Sequence, residues 1–153
     1  MKYSLLVLCL FLQVTAFAKT QQIGAGAGIG SVTILSGEFI QNETKSFDGG
    51  LAFDLGADKK LYLHGSMLFH FPNSLKLLGQ IYNWYYGLGA RYLTFEKNKN
   101  DDEYRFGPRA SAGLDYRFQQ VPIKLFAEAA FIMNIAPSTS ADLDVIFGGR
   151  YYF

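Results

Sequence analysis

The end of the chain has a period of two, with one face apolar and the other carrying every charge, and this pattern restricts the fold more than any other feature. From position 141 to position 153, the odd positions carry only Ala, Leu, Val, Phe, Gly and Tyr, whereas Asp142, Asp144 and Arg150 all occupy even positions. Successive side chains of a β-strand point to opposite faces. The segment therefore predicts a strand with one apolar face and one ionic face.

The same alternation recurs along the rest of the chain. It is cleanest over residues 104–118, where the even positions are apolar and Arg105, Arg109 and Asp115 occupy odd positions. Further alternating segments cover residues 23–30, 33–41, 46–55, 60–71, 81–96 and 121–135. Short turn-rich stretches, including "FPNSLKLLGQ" at 71–80, join them without room for a crossover helix. We predict an antiparallel meander of eight strands.

Eight antiparallel strands can close into a barrel, which leaves no unpaired edge and is the one β arrangement that a bilayer permits. The alternative is a soluble lipocalin-like barrel with the apolar residues inside. All five arginines occupy polar-face positions within strands, whereas the lysines other than Lys124 fall in turns or at strand ends. A solvent-exposed face would carry both arginines and lysines. We therefore predict an all-β, eight-stranded antiparallel up-and-down transmembrane β-barrel.

The amino terminus, "MKYSLLVLCLFLQVTAFAKT", has the features of a secretory signal peptide. Lys2 precedes an apolar run from residue 5 to residue 14, and Ala16 and Ala18 form a small-residue cleavage site. The apolar run is shorter than the roughly 20 residues that a spanning helix needs. We therefore predict a signal peptide at residues 1–18 and a barrel domain at residues 19–153. Cys9 is the one cysteine, so the mature chain would have neither a disulfide nor a thiol nucleophile.

Charge and motifs argue against a nucleic-acid partner. Removing Lys2 from the 14 basic residues leaves 13, which equals the 13 acidic residues. A chain without a positive excess is a poor ligand for phosphate backbones. The glycine-rich "GAGAGIG" is not followed by a helix, so it fits a strand facing the barrel interior better than a nucleotide-binding loop.

Aromatic residues collect at the predicted strand ends. If the chain starts from the periplasm, one set lies at the periplasmic end of the barrel: Phe47, Phe69, Phe71, Tyr82, Trp84, Tyr116, Phe118, Tyr151 and Phe153. A sparser set, with Tyr104 and Phe106, lies at the other end. Aromatic girdles at both interfaces are typical of outer-membrane barrels, so the predicted location is the bacterial outer membrane and the predicted surroundings are its lipid.

Several motifs resemble those of a known family. The segments "VPIKLFAEAA", "APSTSADLD" and "GGRYYF", within residues 61–153, are similar to small outer-membrane barrels of spirochaetes and other Gram-negative-type bacteria, whose architecture is like that of OmpX and the OmpA membrane domain. A last strand with outward Tyr151 and Phe153 resembles the carboxy-terminal signature of such proteins. The resemblance implies an assembly signal at these two residues and the barrel-assembly machinery as a partner, and it brings no catalytic residues.

Charged residues on the inner face are expected to form a lumenal network. The predicted members are Glu38, Asp54, Arg91, Arg105, Arg109, Asp115, Arg117, Lys124, Glu128, Asp144 and Arg150, and Asp48 and Asp142 have the same parity. An eight-stranded barrel is filled by its own side chains, and unpaired buried charges cost several kcal/mol. The residues should therefore pair, which favours a structural role over the alternative of a narrow, gated ion path.

No enzyme activity, metal site or cofactor is predicted. His64 and Ser66 in "LHGSM" have the spacing of the His and Ser in some lipid A deacylases, but their parity directs both inward, away from lipid esters. His70 is expected to lie in the interior or at its rim. Two histidines without a clustered third ligand make a weak metal site.

The segment "EKNKNDDE" is the best candidate for a binding surface. Its flanking strands are about 16 residues long, whereas a spanning strand needs about 9–11. The hairpin at 96–103 should therefore project from the cell surface, and it carries Lys97, Lys99, Asp101, Asp102 and Glu103. Either it is a solvated loop or it binds an extracellular protein partner. The barrel itself is expected to be a monomer.

Overall fold

The computed structural model describes residues 22–53, 59–98 and 101–153. Each strand pairs antiparallel with the next, and β1 also pairs with β8, so the sheet closes into a barrel. The predicted eight-stranded up-and-down architecture is confirmed. The strands are β1 (Gln22–Gly30), β2 (Ile34–Asn42), β3 (Lys45–Phe53), β4 (Lys59–Leu77), β5 (Gln80–Asn98), β6 (Asp101–Arg117), β7 (Ile123–Asn134) and β8 (Ser140–Tyr152).

Within these described ranges, no helix is long and apolar enough to cross a membrane.

The two faces of each strand follow the predicted parity. In β7, the even residues Phe126 and Ile132 are buried, whereas Leu125, Phe131 and Met133 face outward and are exposed. The interior is not purely ionic, because several strands also turn apolar side chains inward. These buried apolar residues include Ile34, Tyr62, Leu68, Leu93, Phe126, Ile132 and Ile146.

The glycines of β1 face the interior and leave room for side chains of β8. A Cβ atom on Gly26 would lie 1.8 Å from the Gly149 carbonyl oxygen, and one on Gly24 would lie 2.7 Å from the Tyr152 ring. Both distances are far below van der Waals contact. The outward Gly37 differs, since the nearest atom to its Cβ position is 3.9 Å away. The close approach of the first and last strands therefore requires glycine, which has no side chain, at these positions of β1.

The stretch at 71–80 is not a turn, and this prediction was wrong. β4 continues to Leu77, and the turn consists only of Leu78 and Gly79, both with positive φ (51° and 79°). A bulge between Phe71 and Leu75 contains the residues whose composition is typical of a loop, including Pro72. Proline has no N–H for the ladder, but a bulge places it outside the regular pairing, so the two strands pair again beyond it.

We predict that Gly26→Ala lowers the free energy of unfolding by about 1–3 kcal/mol, since the added methyl group forces the β1–β8 seam apart. Gly37→Ala is the matched control and should change it by less than about 0.5 kcal/mol. Urea unfolding of detergent-folded protein, followed by heat-modifiable gel migration, measures both. Equal stability of the two variants would contradict a glycine-dependent seam.

Candidate functional site

The first cluster of the lumenal network surrounds Glu38 on β2. Its Oε2 atom lies 2.5 Å from Lys124 Nζ and 2.7 Å from Arg150 Nη1, and the Tyr152 hydroxyl donates to the same atom at 2.5 Å. The other carboxylate oxygen accepts a hydrogen bond from Ser46 Oγ at 2.7 Å. Two cations and two hydroxyl groups thus solvate a buried carboxylate that water does not reach.

Arg150 reaches Glu38 because a glycine lies between their strands. Gly26 of β1 pairs with Arg150 on one side and with Ser36 of β2 on the other. The guanidinium group passes over this glycine, donates from Nε to Ser36 Oγ at 2.9 Å, and continues to Glu38 and to Asp48 Oδ2 at 3.2 Å. Any larger residue at position 26 would occupy this path.

Arg109 uses the same arrangement on the other side of the barrel. It lies on β6 opposite Gly89 of β5, and Gly89 lies opposite Ser66 of β4. Arg109 Nη1 donates to Ser66 Oγ at 3.0 Å, and Nη2 forms a salt bridge with Glu128. Arg109 is among the largest fully buried side chains of the described residues.

A third arginine, Arg91, repeats the pattern. It pairs with Gly107 of β6, and its Nη2 donates to Asn134 Oδ1 of β7 at 3.0 Å. It also forms salt bridges with Asp142 and, at 3.4 Å, with Asp144.

The network also crosses the lumen. The Tyr62 hydroxyl on β4 donates to Asp144 Oδ2 on β8 at 2.9 Å, and these strands lie on opposite sides of the barrel. His70 bridges two carboxylates, with Nε2 3.5 Å from Glu38 Oε1 and Nδ1 3.4 Å from Asp115 Oδ2. Side-chain contacts therefore span the interior at more than one level.

The structure places most of the predicted lumenal residues together. Those buried in the network are Glu38, Arg91, Arg109, Asp115, Lys124, Glu128, Asp144 and Arg150. The Arg105 side chain is 39% exposed and lies 3.6 Å from Asp142. Arg117 is exposed, with its guanidinium 5.0 Å from the Tyr152 ring centroid. Asp54 lies outside the described residues.

Sequence reasoning missed the neutral members of the network. Tyr62, Tyr152 and Asn134 bind charged groups, although the prediction considered only charged side chains. All three have inward parity, so the alternation alone could have identified them. Their partners depend on strand register, which alternation does not give.

The remaining predicted residues are those of the assembly signal, the surface hairpin and the His64–Ser66 pair. Tyr151 and Phe153 face outward, with their rings in edge contact at 5.2 Å. In the 96–103 hairpin, Glu103 is half-buried. Lys99 and the side chains of Lys97, Asp101 and Asp102 lie outside the described part. His64 and Ser66 are both buried inside the barrel.

No protein-family model matches the chain. No curated protein gives a significant match either. Among solved structures, the crystal structure of the N-terminal β-barrel domain of Pseudomonas aeruginosa OprF is similar, with a TM-score of 0.59 over 87% of this chain and 96% of that chain. The fold is that of an OmpA-like barrel. At 14% identity the likeness shows the fold alone, and the resemblance to the spirochaete barrels stays a prediction.

We predict that Arg109→Met lowers the free energy of unfolding by about 3–5 kcal/mol, since it leaves Glu128 charged and buried without its partner. Arg105→Met is the matched control on the same strand and face, and its partly exposed pair should contribute less than about 1 kcal/mol. Urea unfolding in lipid vesicles measures both values. The double variant Arg109→Met/Glu128→Gln should regain part of the loss. Similar losses for the two single variants would contradict the assignment.

Proposed function

We propose that this chain is an integral outer-membrane β-barrel whose charged, side-chain-filled interior gives it a structural or surface-interaction role. The observation that carries the proposal is that apolar side chains cover the outer surface whereas charged side chains fill the interior, which is the reverse of a water-soluble protein. Outward Leu35, Phe53 and Leu143 are 65–69% exposed, whereas Arg91, Arg109 and Arg150 inside are 2–3% exposed. Water would disfavour such an exterior, whereas hydrocarbon matches it.

Ring contacts at the outer surface support a membrane interface. Phe71 and Trp84 stack at 4.3 Å near one end of the barrel, where Tyr82 also contacts Tyr116 at 5.6 Å. The opposite end has the Tyr92–Tyr104 pair at 6.3 Å. Aromatic side chains prefer the headgroup region, so two such bands would fix the depth of the barrel in lipid.

Export and assembly complete the proposal. The predicted signal peptide at residues 1–18, which lies outside the described residues, would direct the chain across the inner membrane. The outward rings of Tyr151, on the last strand, and of Phe153, which follows it, would serve as the signal that the barrel-assembly machinery recognises. Contacts across the lumen argue against an open pore, and we propose neither enzymatic activity nor a lipid A substrate.

The single tryptophan of the chain gives a direct test of the lipid-facing surface. Brominated acyl chains should quench Trp84 fluorescence strongly in vesicles, and aqueous iodide should quench it weakly. In the variant Trp84→Phe/Leu88→Trp, quenching should be strongest for bromines near the bilayer centre, since Leu88 lies nearer the middle of β5. Strong iodide quenching of both proteins would instead indicate a water-facing exterior.

A surface-binding role for the β5–β6 hairpin is the second candidate. The β5–β6 ladder continues to Asn98 and Asp101, whereas pairing on the other side of β6 reaches only Phe106, which bridges to Ala136 just beyond β7. The hairpin tip therefore extends past the neighbouring strand, where an extracellular protein partner can reach it.

This candidate requires the tip of the β5–β6 hairpin to face outside the cell. A protease site inserted between β5 and β6 should be cut on intact cells, whereas the same site inserted between Leu78 and Gly79 should be cut only after the outer membrane is opened. The two insertions are matched, since both lie at the tips of long hairpins that share β5. The reverse pattern would invert the topology and end the adhesin proposal.

A further inference from the structure

Three ionisable side chains from three strands converge inside the barrel. Asp48 of β3, His64 of β4 and Glu128 of β7 each present one ligand atom, and these atoms lie within 4.8 Å of one another. All three residues are at least nine-tenths buried. β3 and β7 lie on opposite sides of the barrel, so the cluster spans the lumen.

Both carboxylates have an oxygen atom that the network does not use. Asp48 Oδ2 binds Arg150 and Glu128 Oε1 binds Arg109, but Asp48 Oδ1 and Glu128 Oε2 are buried without a hydrogen-bond partner. A buried acceptor without a partner costs about 1–3 kcal/mol, and more when it is charged. A cation between the two residues would bind these oxygens without displacing either arginine.

His64 has the orientation of a metal ligand. Its Nδ1 atom lies 3.2 Å from the Tyr62 hydroxyl oxygen, and that hydroxyl donates a hydrogen bond to Asp144. Tyr62 therefore accepts a hydrogen bond from Nδ1–H, and in the neutral ring the lone pair is then on Nε2, 3.7 Å from Asp48 Oδ2. A histidine that binds a metal usually donates its second ring N–H in this way.

Gly50 creates the space for this ring. It pairs with His64 across the β3–β4 ladder, and a Cβ atom at position 50 would lie 2.4 Å from His64 Cε1. The ring therefore lies where a side chain of β3 would otherwise be, and it faces the two carboxylates from a fixed position.

Charge balance is compatible with a bound cation. Apart from the histidines and tyrosines, the buried ionisable side chains of the described residues comprise five carboxylates and four cations. They are Glu38, Asp48, Asp115, Glu128 and Asp144, against Arg91, Arg109, Lys124 and Arg150. One negative charge remains, which a bound cation would offset, as would a protonated His70 between Glu38 and Asp115.

We propose that Asp48, His64 Nε2 and Glu128 form a binding site for a divalent transition metal, with Zn²⁺ as the best fit. An imidazole with two carboxylates suits zinc, whereas Ca²⁺ and Mg²⁺ prefer all-oxygen sites. Zinc–ligand bonds of about 2.0–2.2 Å place tetrahedral ligands about 3.4 Å apart, so the three side chains close inward on binding. The ion would cross-link three strands through the lumen.

The test uses the protein without an affinity tag, purified in detergent, treated with EDTA, and refolded with and without excess Co²⁺. Folded wild type should retain one equivalent of Co²⁺, with the visible absorption of a four- or five-coordinate ion that Zn²⁺ abolishes. His64→Gln should weaken binding at least 100-fold, and Asp48→Asn and Glu128→Gln at least 10-fold. His70→Gln is the matched control, since His70 also bridges two carboxylates but lies outside the cluster.

Folding of each variant is verified by heat-modifiable migration. Folded wild type that retains no Co²⁺ would overturn the proposal. Binding that survives His64→Gln, or that His70→Gln weakens equally, would also overturn it. If His64→Gln does not fold, X-ray absorption of the Zn²⁺-loaded wild type decides. A shell with one imidazole and at least two oxygen atoms supports the site, and a shell without imidazole refutes it.

Discussion

The barrel interior depends on one repeated steric arrangement, in which a long polar side chain on one strand crosses the next strand over a glycine. Arg150, Arg109 and Arg91 each cross such a glycine to a polar partner two strands away. Neighbouring strands lie only about 4.8 Å apart, so a side chain in place of each of these glycines would occupy the path of the arginine. The Tyr152 side chain likewise crosses β1 over Gly24, and its hydroxyl donates to Glu38. The glycines are therefore as necessary to the ionic network as the charges.

The fold was predictable because the period of two is a local property that each strand carries in its own sequence. Even the weakly patterned β2 follows it, with Ile34 and Glu38 directed inward. The β4–β5 hairpin was not predictable in the same way, because Pro72 and its neighbours have the composition of a loop. Whether such residues end a strand or form a bulge depends on the pairing beyond them.

The candidate site was only half predictable, since parity determines which face a residue occupies but not its height along the barrel. Height depends on register, and register determines which charges meet. Asp48, His64 and Glu128 are far apart in the chain. The sequence therefore shows no further metal-ligand residue clustered with His64. Only the closed sheet brings β7 opposite β3 and gives the imidazole two carboxylate neighbours.

The pairing of β1 with β8 makes the wall continuous only when the last strand is in place. Before that moment β1 and β7 each present a row of unsatisfied backbone amides and carbonyls, which is a template for pairing with other chains. A polypeptide whose synthesis stops within β8 would thus form an open sheet with two aggregation-prone edges, because the barrel could not close. Ribosome stalling or proteolysis near the carboxy terminus would then yield aggregates or degradation instead of partial function.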